Sequence, residues 1–288
     1  MEKVGLVLSG GSAYGFAHIG VLKVLVKNKI PIDIITGTSM GALIGGLYAS
    51  GMSIEQMENE IVKFSNNKFM DFNLFGFSEG GFLHGKKIIK VLKGFIGEKE
   101  IKDCKIPFSS VATDLISGEK VVLDEGLVVD AIRASISIPG LFKPIIKDGK
   151  CLIDGGGVDN LPVDEARKLG ATKVISVDVC SQYSPENKLK TPLDILISSA
   201  NLMIGNLTKL KKDKGDVCIS VSHENVRIEK FDYKNSAKAV KNGELAAKQA
   251  LPEIKKLLGI NWYKKRTTHF FMSGLFIFDY MKIWLKYT

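Results

Sequence analysis

Ser39 lies in the stretch Thr36-Gly37-Thr38-Ser39-Met40-Gly41-Ala42, with one glycine two residues before it and another two residues after it. Ahead of it Ile32-Asp33-Ile34-Ile35 reads as a short buried strand. Behind it Ala42 to Ala49 reads as a helix with a small-sided face of Gly45, Gly46 and Ala49. Strand, sharp turn and helix are the context of a nucleophilic serine. A hydroxyl exposed on such a turn strains the backbone and crowds its neighbours, so Gly37 and Gly41 suit their positions because they lack a Cβ. The helix would aim its N-terminal N–H groups at the serine and at any oxyanion formed there. Taken alone, five residues fit an ordinary strand–helix turn with a bystander serine equally well.

Two further stretches offer what a serine nucleophile requires. Gly10-Gly11-Ser12-Ala13-Tyr14-Gly15 follows the apolar run Lys3 to Ser9 and precedes a helical pattern from Phe16 to Leu25. Successive N–H groups in such a loop converge on negative charge, whether a phosphate or a transient oxyanion. Ser12 stands where a dinucleotide fingerprint has its middle glycine, and no Walker lysine follows. Gly10, Gly11 and Ser12 are therefore oxyanion-hole candidates for a serine that lies 24 to 29 residues beyond the loop Gly10 to Gly15, against the plainer reading of a tight turn with no ligand.

Asp154 follows the apolar strand Cys151-Leu152-Ile153 and precedes Gly155, Gly156 and Gly157, the same strand-end placement that Ser39 has. Ligand sites in open α/β sheets gather at the carboxyl ends of strands, which makes Asp154 the candidate base. Its alternative role is to cap the next helix. A carboxylate with a reference pKa of ~3.9 is a weak base toward serine, so proton transfer has to be concerted with attack. The oxyanion must also be well held, since loss of one donor costs ~3–4 kcal/mol in a studied serine hydrolase.

The elements that must position these residues alternate along the chain. Ser53 and Gln56 have capping-box spacing and open a helix to about Phe64. Between Asn66 and Phe82 the pattern dissolves into phenylalanines among Asn, Gly and Ser, either a mobile cover over an apolar pocket or a loop pinned by core aromatics. His84 to Gly97 is helical, Pro107 to Asp114 and Glu119 to Leu123 are strands, and Val129 to Ser135 is a helix. After Asp154, the chain reads as helix from Leu161 to Leu169, strand from Lys173 to Val179, helix from Pro192 to about Lys212, strand from Val217 to Val221 and helix from Ser236 to Leu258. This alternation predicts one α/β domain over 1–258, with a mainly parallel sheet covered on both faces, and a separate tail over 259–288.

Composition excludes other classes. With 45% hydrophobic and 25% charged residues in 288, the chain is globular and not disordered. Its four cysteines, Cys104, Cys151, Cys180 and Cys218, form no metal-ligand or disulfide pattern. The apolar run at the start is too short for a signal peptide, so a cytoplasmic protein is expected. Five Lys or Arg against Asp279 alone place +4 of the +9 net charge in residues 260–288, where aromatics stand beside lysines. The longest uncharged run there is too short to span a bilayer. The tail is expected either to lie peripherally on the inner face of the membrane or to dock on the domain or another subunit. No nucleic-acid partner is indicated, and the oligomeric state is not readable.

The ordered set Gly10 to Gly15, Gly37-Thr38-Ser39-Met40-Gly41 and Asp154-Gly155-Gly156 resembles the patatin-like phospholipase family, bacterial branch. So do Ala112-Thr113-Asp114-Leu115 with Gly118-Glu119, Arg133 to Gly140, and Asn160-Leu161-Pro162-Val163. The resemblance runs from about Leu6 to Arg167. It implies a three-layer α/β/α sandwich and a Ser-Asp dyad with Ser39 as nucleophile and Asp154 as base. It further implies hydrolysis of lipid acyl esters without histidine, metal or cofactor. Gly15, Gly37, Gly41, Gly155 and Gly156 are then motif supports.

Two departures stand out: Ser12 replaces a glycine and Tyr14 replaces an arginine. A serine keeps the backbone donor when φ is negative there, whereas the missing arginine removes a fixed positive charge. Two other readings stay open: a lipid-binding or regulatory protein with little turnover, and a His-dependent hydrolase using Ser39, an aspartate and His223 or His269. His18 and His84 are assigned no role.

Overall fold

Strand β1 (Val4–Leu8) alternates its side chains between two cores. Leu6 and Leu8 join the larger core, while Val7 joins Leu161, Val163, Ala166 and Val174 on the other face of the sheet. This period-2 alternation with both faces apolar is what a sheet sandwiched between helices requires. The computed structural model describes residues 2–64, 81–83, 85–182, 192–223, 225–227 and 231–260. The aromatic stretch expected from Asn66 lies almost wholly outside the described residues. His84, His269 and the tail beyond residue 260 lie outside them too.

The sheet has the order β10 (Val217–Ser220), β9 (Lys173–Asp178), β1, β2 (Ile34–Thr38), β4 (Phe108–Asp114), β8 (Lys150–Asp154), β7 (Ile145–Lys147), with β5 (Lys120–Leu123) also paired to β4. The five strands from β10 to β4 are parallel. The pairs β4–β5, β4–β8 and β7–β8 are antiparallel. A small parallel pair joins β3 (Gly81–Leu83) and β6 (Gly140–Phe142).

Helices α1 (Ala17–Lys27), α2 (Met40–Ala49), α3 (Ile54–Phe64), α4 (Lys86–Ile96), α5 (Val128–Ser135) and α9 (Tyr233–Leu257) contribute to the larger core. The short α6 (Gly156–Asp159) follows β8, α7 (Val163–Lys168) covers the opposite face, and α8 (Pro192–Lys209) precedes β10. The three-layer α/β/α arrangement is as expected. The capping box at the start of α3 is present in both directions: Ser53 N–H donates to Gln56 Oε1 at 2.9 Å, and Gln56 N–H donates to Ser53 Oγ at 3.1 Å.

The register of β4 decides the geometry of the site. Val111 pairs with Thr38 of β2 and with Val122 of β5, so β2 and β5 lie on opposite sides of β4. Ala112 pairs with Val121 of β5 and with Asp154 of β8, so β8 lies on the side that β2 has just vacated. β2 runs up to Thr38 and β8 runs down to Asp154. The two strands therefore meet end to end beside consecutive residues of β4, which stand ~3.3 Å apart along a strand. Asp154 ends its strand, as the sequence led one to expect. Asp154 reaches the same level from the opposite direction, on an antiparallel strand that fills the overhang of β4.

Helix α9 is fastened to α1 at a backbone-to-backbone crossing. A Cβ on Gly20 would lie 2.0 Å from the Val240 carbonyl oxygen, and one on Gly243 would lie 2.0 Å from that of Ala17. Gly243→Val should therefore lower stability by about 1–3 kcal/mol, seen as a lower urea midpoint with unchanged m-value, because neither backbone can retreat from a packed core.

Candidate active site

Ser39 occupies the turn between β2 and α2 with φ 53 and ψ −122, a left-handed conformation for a residue with a side chain. Such strain is on the order of 1–3 kcal/mol and persists only where the surroundings impose it. Three contacts impose it here. The Ser39 N–H donates to Ser135 Oγ at 2.9 Å, and that hydroxyl donates to the Val111 carbonyl at 2.6 Å, tying the turn to α5 and β4. Gly37 and Gly41 are pressed together, with a Cβ on Gly37 falling 2.5 Å from the Gly41 carbonyl carbon. A Cβ on Gly41 would lie 2.1 Å from the Leu8 carbonyl oxygen, so α2 starts directly against β1.

Asp154 accepts a hydrogen bond from the Gly156 N–H at 2.8 Å, and the Ser39 hydroxyl stands near enough to its carboxyl to favour the charged form. Its backbone is anchored as well: its N–H donates to the Ser137 carbonyl at 2.9 Å, and its carbonyl accepts from Thr113 Oγ1 at 2.9 Å. Burial pushes the Asp154 carboxyl up to about 6 against the pull of the Ser39 hydroxyl and the Gly156 N–H. The other carboxylates at strand ends behave differently. Asp114 accepts from the Ser117 hydroxyl, which with the N–H groups of Cys151 and Ile116 holds it below the usual range. Burial works against Asp178, yet Lys212 at 2.6 Å and the Ser181 hydroxyl hold it low. Among these three, Asp154 alone combines a proton affinity near neutrality with contact to the serine, the pattern of a base.

The glycine-rich loop lies alongside. Gly10 does not present a free donor, since its N–H donates to the Asn160 carbonyl at 3.2 Å. That removes Gly10 from the three expected oxyanion donors. Its contribution is room: a Cβ there would sit 3.1 Å from Ser39 Cβ and 2.4 Å from Asn160 Oδ1. The N–H groups of Gly11 and Ser12 have no acceptor among the described residues. Ser12 has φ 49, so the condition of a negative φ is not met and this serine adopts the conformation that glycine prefers. Gly15 lets the loop close on α2, where its Cβ would be 2.3 Å from that of Met40.

The family model described as patatin-like phospholipase matches residues 6–167, more than half of the chain. The chain belongs to the patatin-like phospholipase family. It is 36% identical over 183 residues to lysophospholipase NTE1 of Debaryomyces hansenii, a match covering 62% of this chain and 12% of that protein. It is 35% identical over 184 residues to patatin-like phospholipase domain-containing protein 6 of Mus musculus, covering 62% and 14% respectively. The chain thus corresponds to a small part of these much longer relatives. They are fungal and animal, and they do not support the expected bacterial branch. The crystal structure of VipD from Legionella pneumophila shares the fold, with a TM-score of 0.51 at 16% identity over 88% of this chain and 67% of that one.

The patatin-like framework accounts for residues whose roles sequence reasoning left blank. Asn160 links three parts of the site: its Nδ2 donates to the Gly10 carbonyl at 3.4 Å and to Thr208 Oγ1 at 2.9 Å, and its Oδ1 crowds Gly156. Arg133 is buried and donates to Ser137 Oγ at 2.6 Å and to the Lys143 carbonyl at 2.8 Å, with its guanidinium 5.1 Å above the Phe142 ring. It therefore holds the segment whose Ser137 carbonyl receives Asp154 N–H. Spacing gives no hint of either role.

The two described histidines, His18 and His223, contact residues other than Ser39 and Asp154. His18 Nε2 donates to the Ser9 carbonyl at 2.8 Å, and burial pushes its pKa down to about 4. His223 stacks flat on Tyr14 with ring centroids 3.7 Å apart, and burial likewise lowers it to about 4.

Two predictions follow from strain and burial. Ser12→Gly should raise stability by about 0.5–1 kcal/mol in urea unfolding, because relief of the left-handed φ exceeds the added unfolded-state freedom of glycine. The folded pKa of Asp154, about 6, exceeds its ordinary 3.8, so its charge costs stability above pH 6 and the cost vanishes below pH 4. Asp154→Asn should accordingly be about 1–3 kcal/mol more stable than wild type at pH 8, with a smaller difference at pH 4.5.

Proposed function

We propose that this chain is a serine acyl hydrolase that cleaves carboxylic ester bonds of phospholipids or lysophospholipids. The observation that carries the reading is Asp154 beside the Ser39 hydroxyl at the meeting of β2 and β8, a half-buried carboxyl pushed up to about 6. The names of the relatives, lysophospholipase and patatin-like phospholipase, support the substrate class.

In this reading Asp154 takes the Ser39 proton as Oγ attacks the ester carbonyl. The N–H groups of Gly11 and Ser12 receive the developing oxyanion, aided by the N-terminus of α2. Collapse expels the alcohol, which takes the proton back from Asp154, and leaves the acyl group on Ser39. Asp154 then takes a proton from a water that attacks the acyl-enzyme and hands it to Ser39 Oγ as the fatty acid leaves, which restores the serine. The raised pKa of Asp154 helps both halves, since a base of pKa near 6 accepts a proton more readily than an ordinary aspartate and still returns it to the leaving group. Gly10, Gly15, Gly37, Gly41, Gly155 and Gly156 serve as close-contact positions that let the three segments converge.

A second reading, a low-turnover lipid-binding or regulatory protein on this fold, is favoured by one observation. Tyr14, at the position where the family's loop has an arginine, is packed against a neutral His223, so no cation from that position stands by the oxyanion.

Fluorophosphonate labelling and p-nitrophenyl ester turnover separate the two. Ser39→Ala should abolish labelling, and Ser39→Ala and Asp154→Asn should each lower kcat/KM by at least about 1000-fold. His223→Ala should stay within about threefold of wild type. Wild-type kcat/KM should fall about tenfold per pH unit below pH 6, as the base becomes protonated. Label retained in Ser39→Ala overturns the assignment, and a wild type that neither labels nor turns over favours the binding reading.

A further inference from the structure

Helix α8 has two faces of opposite character. Its inner side faces the candidate active site. Thr208 Oγ1 accepts from Asn160 Nδ2 at 2.9 Å, Ile204 Cδ1 lies 3.3 Å from where a Cβ on Gly156 would be, and Gly205 backs onto the Cys180 carbonyl at the end of β9. Its outer side carries Ile195, Leu196, Leu202, Met203 and Leu207, continued by Leu210 just past its end, all exposed to solvent. Leu196 keeps 68% and Met203 65% of its surface in water.

Residues 195–208 include no charged side chain at all. Helix α9 makes the contrast plain, because its exposed positions include Lys234, Lys238, Lys241 and Lys248. A helix with one face on the protein and the other in water has a polar outer face as its stable form. From Ile195 to Leu207 the outer face of α8 breaks that rule at five positions, with Asn206 a polar exception among them.

The apolar exposure is concentrated around the catalytic edge of the sheet. Ile116, 79% exposed, and Leu115 form the turn that ends the β4 overhang. Ile146, 73% exposed, stands on the β7–β8 hairpin, whose tip carries the exposed Lys147 and Lys150 around Asp148. Cations also follow α8 directly: residues 209–214 read Lys-Leu-Lys-Lys-Asp-Lys, a net charge of +3. Lys211, Lys212 and Lys214 are paired with Asp159, Asp178 and Asp164, while Lys209 at the helix end is exposed. An apolar face bordered by lysines is the pattern that lies in the headgroup region of an anionic bilayer, with the apolar residues at the acyl boundary and the lysines among the phosphates. Among the described residues no helix is long and apolar enough to cross a membrane, so α8 would lie on the bilayer and not span it.

We propose that the outer face of α8 docks this protein on an anionic lipid bilayer, assisted by Leu115, Ile116 and Ile146, and so seats the Ser39 cleft at the lipid surface. The inference draws its purpose from the lipid-hydrolase reading, but it is decided by binding and does not need turnover. It assigns the docking to the folded domain and not to the tail beyond residue 260. The lysine-rich border selects anionic over zwitterionic lipid, and the uncharged face predicts that part of the binding survives high salt.

The test is flotation of the full chain with vesicles of phosphatidylcholine alone and of phosphatidylcholine with 30% phosphatidylglycerol, in parallel with turnover of p-nitrophenyl butyrate. Leu196→Glu/Met203→Glu should lower partitioning onto the anionic vesicles at least tenfold, while soluble-ester turnover and the urea midpoint stay as in wild type. Leu245→Glu, on the exposed side of α9, should bind as wild type. As a second measurement, Met203→Cys carrying an environment-sensitive fluorophore should shift to the blue on addition of anionic vesicles and less so with phosphatidylcholine alone.

Wild-type flotation by Leu196→Glu/Met203→Glu, or no spectral shift at position 203, overturns the proposal and points to the tail as the membrane contact. Conversion of a wild-type dimer to monomer by the same pair, without loss of flotation, overturns it in favour of a second copy as the occupant. Absence of ester turnover in a wild type that still floats through α8 sinks the hydrolase reading and leaves the docking surface standing.

Discussion

The meeting of β2 and β8 end to end along β4 is the constraint on which the site depends. β4 continues three residues past its last pairing with β2, and the overhang is covered by a strand running the opposite way. A backbone overhang left open would expose unpaired N–H and C=O groups at the centre of the molecule. Filling it with β8 satisfies those groups and brings a carboxylate to the end of the strand that carries the serine. The hydrogen bonds that complete the sheet are thus the same ones that bring Asp154 beside Ser39, and no separate device is required.

Around that junction the structure trades stability for chemistry at two points. Ser39 is held at positive φ by the Ser135 bridge and by the contact of Gly41 with β1. Asp154 is held in surroundings that disfavour its charge. Both costs are offset by rigid neighbours: Arg133 fixes the segment after α5, and Asn160 fixes the glycine-rich loop against α6 and α8. Strain and desolvation concentrated in a few residues, with satisfied polar networks behind them, are what a preorganised site requires.

The same arrangement sets α8 across the carboxyl edge, one face building the wall of the site and the other left apolar in water. The wall of the candidate site and the outer surface are two sides of one helix, and any docking of the outer side would fix the orientation of the cleft. A tightly packed sheet beneath, with α1 and α9 locked at Gly20 and Gly243, makes the edge a rigid platform.

Much of this was readable in the residues. Alternating apolar runs gave the parallel strands and their helices, the Ser53–Gln56 spacing gave a capping box, and glycine spacing singled out Ser39, Asp154 and the loop before them. What was not read had either no periodic signal or a signal too short to weigh: β6 and β7 are three residues each, although Asp148-Gly149, both at positive φ, is a hairpin turn pair. The direction of β8 could not be read, because a five-residue strand looks the same whichever way it runs. Sequence alone determined which residue types are present at which intervals, because backbone strain and close approach admit only glycine at particular places. Tertiary structure alone decided that Gly10 donates inward to Asn160, that Ser12 sits at positive φ, and that Asp154 and not Asp114 or Asp178 is the carboxyl held near neutrality. Those properties depend on which groups lie opposite in space and how far water is excluded, and neither is encoded in local spacing.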